Sequence, residues 1–330
     1  MARFIKTLKK TALAASIASL ATVANATIVT SIKPLGFIAS SIADGVTDTE
    51  VLVPAGASPH DYSLKPSDIQ KLQGAELILW VGEDIDAFLD KTLRPMPFKK
   101  VLSIADFAEI GGLLEGEAHD HKHEHDHTHK HDHDHKHDHD HKHDHEHKHD
   151  HAHGHEHDHS TNWHVWYSPE ISKIVATRLA TRLTEAYPEK KEKIAQNLAE
   201  FNRTLAEQSE KIKQQLAPVK EKGFYVFHDA YSYFNNAYGL KQTGYFTINP
   251  LVAPGAKTLA KIKQEIKEHK VNCLFAEPQF TPKVIESLSK GTGVHVGRLD
   301  PMGDAVKLGV NSYANFLQYT ADSYFACLSK

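Results

Sequence analysis

From position 28 onward, short β-branched runs alternate with stretches whose apolar residues recur at helical spacing. In the first half, 28–30, 50–53 (ended by Pro54), 77–81 and 101–104 read as strands, with helices at 35–42 and 67–71. The second half repeats the pattern. Strands are expected at 224–227, 272–276 and 294–296, and helices at 256–269, 281–290 and 311–327. Such alternation predicts parallel sheets covered by helices. Between the halves, Ile194, Leu198, Phe201, Leu205, Ile212 and Leu216 make one apolar stripe with the steps of a helix face. Pro188, just inside the start of that region, suits a first helical turn. The predicted fold class is α/β: two lobes, each a mainly parallel sheet flanked by helices, joined by a long helix. The expected boundaries are 27–168 for the first lobe, 169–218 for the linking helical region and 219–330 for the second lobe.

One segment breaks the pattern. Of the 26 histidines, 21 occupy every second position from His119 to His159. From His131 the hexad HDHDHK runs twice and is followed by HDHEHK, with almost no apolar residue to bury. A disordered, histidine-rich insertion at 117–160 of the first lobe is therefore expected. In an extended chain, alternation puts histidines on one side and acids on the other. The tract reads as a weak, many-site collector of metal ions, the bland alternative being a tolerated polar insertion.

Charge follows the same division. The tract 119–159 sums to −7 and residues 1–26 to +4; since the whole chain is −4, the remainder is −1. Protonating all 21 histidines swings the tract from −7 to +14, so metal release in acid is expected to be sharp. The nearly neutral body has no surplus of Lys and Arg, which argues against a nucleic-acid partner.

The N-terminus reads as a secretory signal. Arg3, Lys6, Lys9 and Lys10 precede a small, apolar run at 11–21, and Ala24-Asn25-Ala26 offers a cleavage site after Ala26. No later run reaches the roughly 18 apolar residues of a membrane span, so an exported, non-integral protein of the periplasm is expected. In that oxidising compartment Cys273 and Cys327 are expected to form a structural disulfide. Closing a loop of about 55 residues is worth roughly 4 kcal/mol on a chain-entropy model. Zinc ligation by the two thiols is the alternative, but the histidines are better-placed ligands.

Five histidines lie outside the tract: His60, His164, His228, His269 and His295. His60 falls in a turn-rich loop after a predicted strand, His164 where order is expected to resume after the tract, and His228 at a strand end. Open α/β sheets place ligand sites beyond strand ends of this kind. His269, in KEHK, reads as a solvated helix end; His295 reads as a strand histidine facing solvent or satisfied by a polar contact. Neutral imidazoles bind metal, so affinity is expected to fall as pH drops through about 6.5.

Five segments in register carry a family resemblance: GASPHDYSLKPS (56–67), NWHVWYSP (162–169), FHDAYSYF (227–234), FAEPQF (275–280) and LDPMG (299–303). They resemble motifs of the metal-binding periplasmic components of ABC importers, specifically the zinc branch of the ZnuA type. The resemblance covers nearly the whole chain after the signal, and an internal His/Asp tract is itself typical of that branch. It implies a two-lobed solute-binding protein with a metal cleft between the lobes, Zn²⁺ as the bound ion, and a membrane permease with its cytoplasmic ATPase as partners. A monomer is expected. Carried over by motif, His60 and His164 come from the first lobe and His228 from the second. The manganese branch is similar but has a carboxylate where His228 stands, and imidazole favours zinc over manganese. Some zinc members carry Glu before the first histidine; here Pro59 stands there and cannot ligate. For the fourth position the choice is Asp300, which matches the family's aspartate, or water. Glu277 is expected to orient a ligand from behind.

The main expectation is thus a non-enzymatic carrier that captures Zn²⁺ and delivers it to a permease. The alternatives are a zinc hydrolase built on three histidines and water, and a manganese-type binding protein or adhesin. Against the hydrolase, no HExxH helix is present.

Overall fold

The computed structural model describes residues 27–116, 161–280 and 283–330. The expected signal peptide, the 117–160 insertion and the first two positions of the helix expected at 281–290 lie outside the described residues.

The first lobe runs β1 (Thr27–Thr30), α1 (Lys33–Ile42), β2 (Asp48–Val51), α2 (Pro66–Gly74), β3 (Leu77–Trp80), the short α3 (Glu83–Asp86) and α4 (Asp90–Leu93), and β4 (Val101–Ser103). A two-residue antiparallel ladder follows, β5 (Glu115–Gly116) with β6 (Thr161–Asn162). Helices α5 (Pro169–Ala186) and α6 (Lys191–Leu216) come next. The second lobe runs β7 (Phe224–His228), α7 (Ser232–Tyr238), β8 (Gln242–Thr247), α8 (Ala256–Lys267), β9 (Cys273–Ala276), α9 (Lys283–Thr292), β10 (His295–Arg298) and α10 (Ser312–Leu328).

Each lobe holds a four-stranded parallel sheet, ordered β2-β1-β3-β4 in the first and β8-β7-β9-β10 in the second. The order is the same in both. Strands buried on both faces need apolar residues on both, which is why β3 reads LILW and β9 CLFA. In each sheet the chain reverses its winding between the first and third strands of the lobe, opening a crevice at their carboxyl ends.

Local chemistry sets the helix ends that matter for the site. α5 starts where the Ser168 hydroxyl accepts from the Ile171 amide, with Pro169 at the first turn. α2 starts where the Asp68 carboxylate accepts from the Lys65 amide at 2.9 Å. The joining helix extends from Pro188 to Val219, with single 3₁₀ turns at both ends of α6. Its apolar stripe is buried, Leu198 only partly. Asn197, within that stripe, donates to Ile42 O and Asp44 O at the end of α1. α5 is a separate helix, stopped at Tyr187 before Pro188.

The main apolar cluster is continuous from α1 through α5 and α6 to α10, so the two lobes share a core. Phe37 and Phe316 meet at 5.2 Å between centroids, and Tyr167 stacks on Phe316 at 5.1 Å. Separate clusters cover the far face of each sheet, one around Leu72, Ile78 and Leu89, the other around Ile262, Leu274 and Ile285. Cys273 and Cys327 are joined as a disulfide that ties β9 to α10.

Several elements depart from the sequence reading, β2, β8 and α7 most clearly. β2 lies at 48–51 rather than 50–53. Leu52 and Val53 continue its hydrogen bonding to Thr30 O and Ser31 O as irregular chain. β8 and α7 carry no signal that the sequence reading recognised.

Candidate metal centre

His60 stands in the loop between β2 and α2. That loop is held at three points. Tyr62 OH donates to Asp68 at 2.8 Å, the same carboxylate that starts α2. The His60 amide donates to Ser58 Oγ. The Gly56 amide donates to Asp304 in the second lobe at 2.7 Å. Gly56 has φ +78°, a left-handed conformation that suits glycine.

His164 follows β6 where the chain crosses between the lobes, and His228 is the last residue of β7. Both are buried, at 8% and 2% exposure. The ligand atoms of His60, His164 and His228 all lie within 4.8 Å of one another, and this is the only such group of His, Cys, Asp or Glu among the described residues. His164 Nε2 is 3.4 Å from His60 Nε2 and 3.2 Å from His228 Nε2. Zn–N bonds of 2.0–2.1 Å at tetrahedral angles put ligand nitrogens about 3.3 Å apart.

The orientation of two rings is fixed from behind. Both oxygens of Glu277 lie 2.8 Å from His228 Nδ1. Asn162 Oδ1 lies 2.7 Å from His164 Nδ1. An acceptor at each Nδ1 keeps the proton there and leaves the Nε2 lone pair facing the centre. Burial, then the neighbouring His228, pushes His60 down to about 3. Burial, with His228 and His60 nearby, also holds His164 well below its ordinary value. Their protonation is thereby displaced far below the 6.5 expected of a free imidazole.

Asp300 is not in the histidine group. Its Oδ1 accepts from Met302 N at 3.0 Å and Gln279 Nε2 at 2.8 Å, and its Oδ2 accepts from Asp304 N at 2.7 Å. His269 and His295 are exposed and lie outside the group. The sequence reading assigned no role to Asn162. Its Nδ2 also donates to Asp229 O and Ser232 Oγ, and its carbonyl accepts from Tyr233 OH, so β6 is fastened to the second lobe beside His228. The available signal was its spacing: an Asn two residues before a candidate ligand, able to reach back to that ring. A cavity of about 310 Å³, lined by His60, Asp84, Trp163, His164, Asp229 and Ile248 among others, adjoins the centre.

Two α/β lobes around a shared core, with three convergent imidazoles drawn from both, define a metal-binding solute-binding protein. The model of the family described as "Zinc-uptake complex component A periplasmic", ZnuA, matches residues 28–327, and the chain belongs to that family. It is 68% identical to the high-affinity zinc uptake system protein ZnuA of Haemophilus influenzae, with 98% of this chain and 99% of that protein covered. To the protein of the same name from Yersinia pestis it is 44% identical, with 92% of each covered. A crystal structure of ZnuA matches with a TM-score of 0.67 at 22% identity, covering 92% of this chain and 99% of the other. The periplasmic zinc binding protein TroA from Treponema pallidum matches at 0.68 and 17%, covering 93% and 100%. At those identities the structural matches speak for the fold alone. The family is one of periplasmic uptake components, not enzymes, so the hydrolase alternative falls away.

Proposed function

We propose that this protein captures Zn²⁺ between its lobes in the periplasm and delivers it to the permease of an ABC importer, whose cytoplasmic ATPase drives uptake. The observation that carries this reading is the spacing of the three Nε2 atoms, 3.2 and 3.4 Å along the two measured edges, which suits one tetrahedral zinc ion. His60, His164 and His228 are the ligands in this reading. Glu277 orients His228 and Asn162 orients His164. A histidine at position 228, where the manganese branch has a carboxylate, supports zinc as the cargo. Three imidazoles leave one position of the tetrahedron to Asp300 or water.

The protein acts as a monomer after cleavage behind Ala26. Among the described residues no helix is long and apolar enough to cross a membrane. The test is calorimetric titration, in competition with a chelator, of a His60, His164 and His228 triple alanine variant. The 119–159 tract is deleted from variant and control alike. The control is expected to hold one zinc tightly and the variant to lose that binding; tight binding by the variant rejects the assignment.

A further inference from the structure

The cavity that holds the three imidazoles is small, about 10 Å³, and Gln279 lines it. A space of that size takes about one water molecule. Most of its other polar side-chain atoms are already engaged. Trp166 Nε1 donates to Pro301 O at 3.1 Å, and Ser58 Oγ accepts from the His60 amide. Gln279 differs. Its Nε2 donates to Asp300 at 2.8 Å and also bonds Asp304, so two carboxylates face the NH₂ end. Acceptors on that side fix the orientation of the amide, because a carbonyl oxygen turned toward two carboxylates would meet only lone pairs. The carbonyl end, Oε1, is buried and has no hydrogen-bond partner. A buried acceptor of this kind requires a donor.

Resting on the zinc reading above, we infer that the fourth zinc ligand is a water molecule that donates a hydrogen bond to Gln279 Oε1, and that Asp300 positions Gln279 instead of binding the metal. Asp300 accepts from Met302, Asp304 and Gln279 and lies outside the histidine group, so ligation would need its carboxylate to leave the position in which it holds the 300–304 turn. Water on zinc is a strong donor and has no competing protein donor to satisfy Oε1. An aprotic anion at the same position has no proton to offer, and its lone pairs face those of the carbonyl. Gln279 therefore selects water over chloride or thiocyanate. It also keeps one coordination position exchangeable, where a receiving ligand can enter without first displacing an imidazole.

The test begins with crystals of the unaltered full chain carrying zinc. The expected result is one oxygen ligand within about 2.2 Å of the metal and within about 3.2 Å of Gln279 Oε1. Asp300 or any other protein atom in that position overturns the inference, as does an oxygen out of reach of Gln279. The second measurement loads wild type and Gln279→Met with one equivalent of Co²⁺ and titrates thiocyanate, followed by the visible cobalt bands. Losing the acceptor is expected to weaken zinc binding about fivefold and to raise thiocyanate affinity by a similar factor. Equal thiocyanate affinity in the two proteins rejects the role of Gln279. Should Gln279→Met fold poorly, the crystal of the unaltered chain decides alone. Zinc held by three imidazoles without a Gln279-bound water sinks this inference only; zinc held elsewhere sinks the functional reading beneath it.

Discussion

The two lobes have the same strand order, yet they fill the crevice at the ends of their central strands with opposite chemistry. In the second lobe β7 ends in His228, whose ring is backed by buried Glu277 just past β9. In the first lobe β1 is followed by Ser31, whose hydroxyl donates to buried Asp86 at 2.8 Å, and the Val81 amide donates to the same carboxylate. Each lobe therefore sets a buried acid at its crevice. In one the acid aims an imidazole at the candidate centre; in the other it locks two strand ends together. The crevice supplies a place, and the side chain that reaches the acid decides its use. The first lobe contributes its two imidazoles from outside its sheet, through the β2–α2 loop and the crossing segment after β6.

Two changes worth about 4 kcal/mol separate the lobes most strongly. Replacing Cys273 and Cys327 with serine removes a cross-link over 54 positions and is expected to cost roughly 4 kcal/mol in denaturant unfolding. Hydrogen exchange should show the loss of protection concentrated in β9, β10 and α10; equal loss in β1 and β3 would mean the shared core spreads the effect. In the first lobe, burial pushes Asp86 up to about 7 from its ordinary 3.8. Below that ordinary value the group is protonated in both folded and unfolded chains. Between the two values it is protonated only in the folded chain, so its contribution is lost as pH rises toward 7, by on the order of 4 kcal/mol. Asp86→Asn should remove that slope from the difference between pH 4 and pH 7 stabilities while leaving zinc affinity unchanged. A zinc effect as large as that of Glu277→Ala would erase the distinction between the two buried acids.

Glu277→Ala comes next. It leaves His228 Nδ1 without its acceptor and should weaken zinc binding about 10- to 100-fold. Asn162→Ala is expected to do less, about fivefold, because a neutral acceptor is lost in place of a charged one. Both are read by chelator competition. A larger loss from Asn162→Ala than from Glu277→Ala would show that fastening β6 to the second lobe outweighs the orientation of either ring.

Much of the fold was legible because sheets buried on both faces need unbroken apolar runs, and β3 and β9 have them. β8 was missed for the opposite reason. It is an edge strand, QTGYFT, with four of its six residues at least partly open to solvent. Gly244 sits at its middle, where a Cβ would come within 2.6 Å of the Tyr225 ring. A strand interrupted by glycine for the sake of a neighbour's ring gives no alternation to read. α7 is a seven-residue helix with two central asparagines, too short to show a stripe. The site divides similarly. The residues that converge on the candidate centre announced themselves by type, His60, His164 and His228, whereas Asn162 and Gln279 are amides whose roles depend on what their two ends face.

The sequence by itself determined the alternation of strands and helices, the joining stripe, the cysteine pair and the three imidazoles, because periodicity and side-chain chemistry are local properties. Only the tertiary structure decided that three histidines spread over 169 positions meet with two of their Nε2–Nε2 separations at 3.2 and 3.4 Å. It also turned Asp300 toward the 300–304 turn and left Gln279 Oε1 buried without a partner. Those outcomes depend on which groups burial brings within hydrogen-bond reach, and that is settled by packing between distant segments.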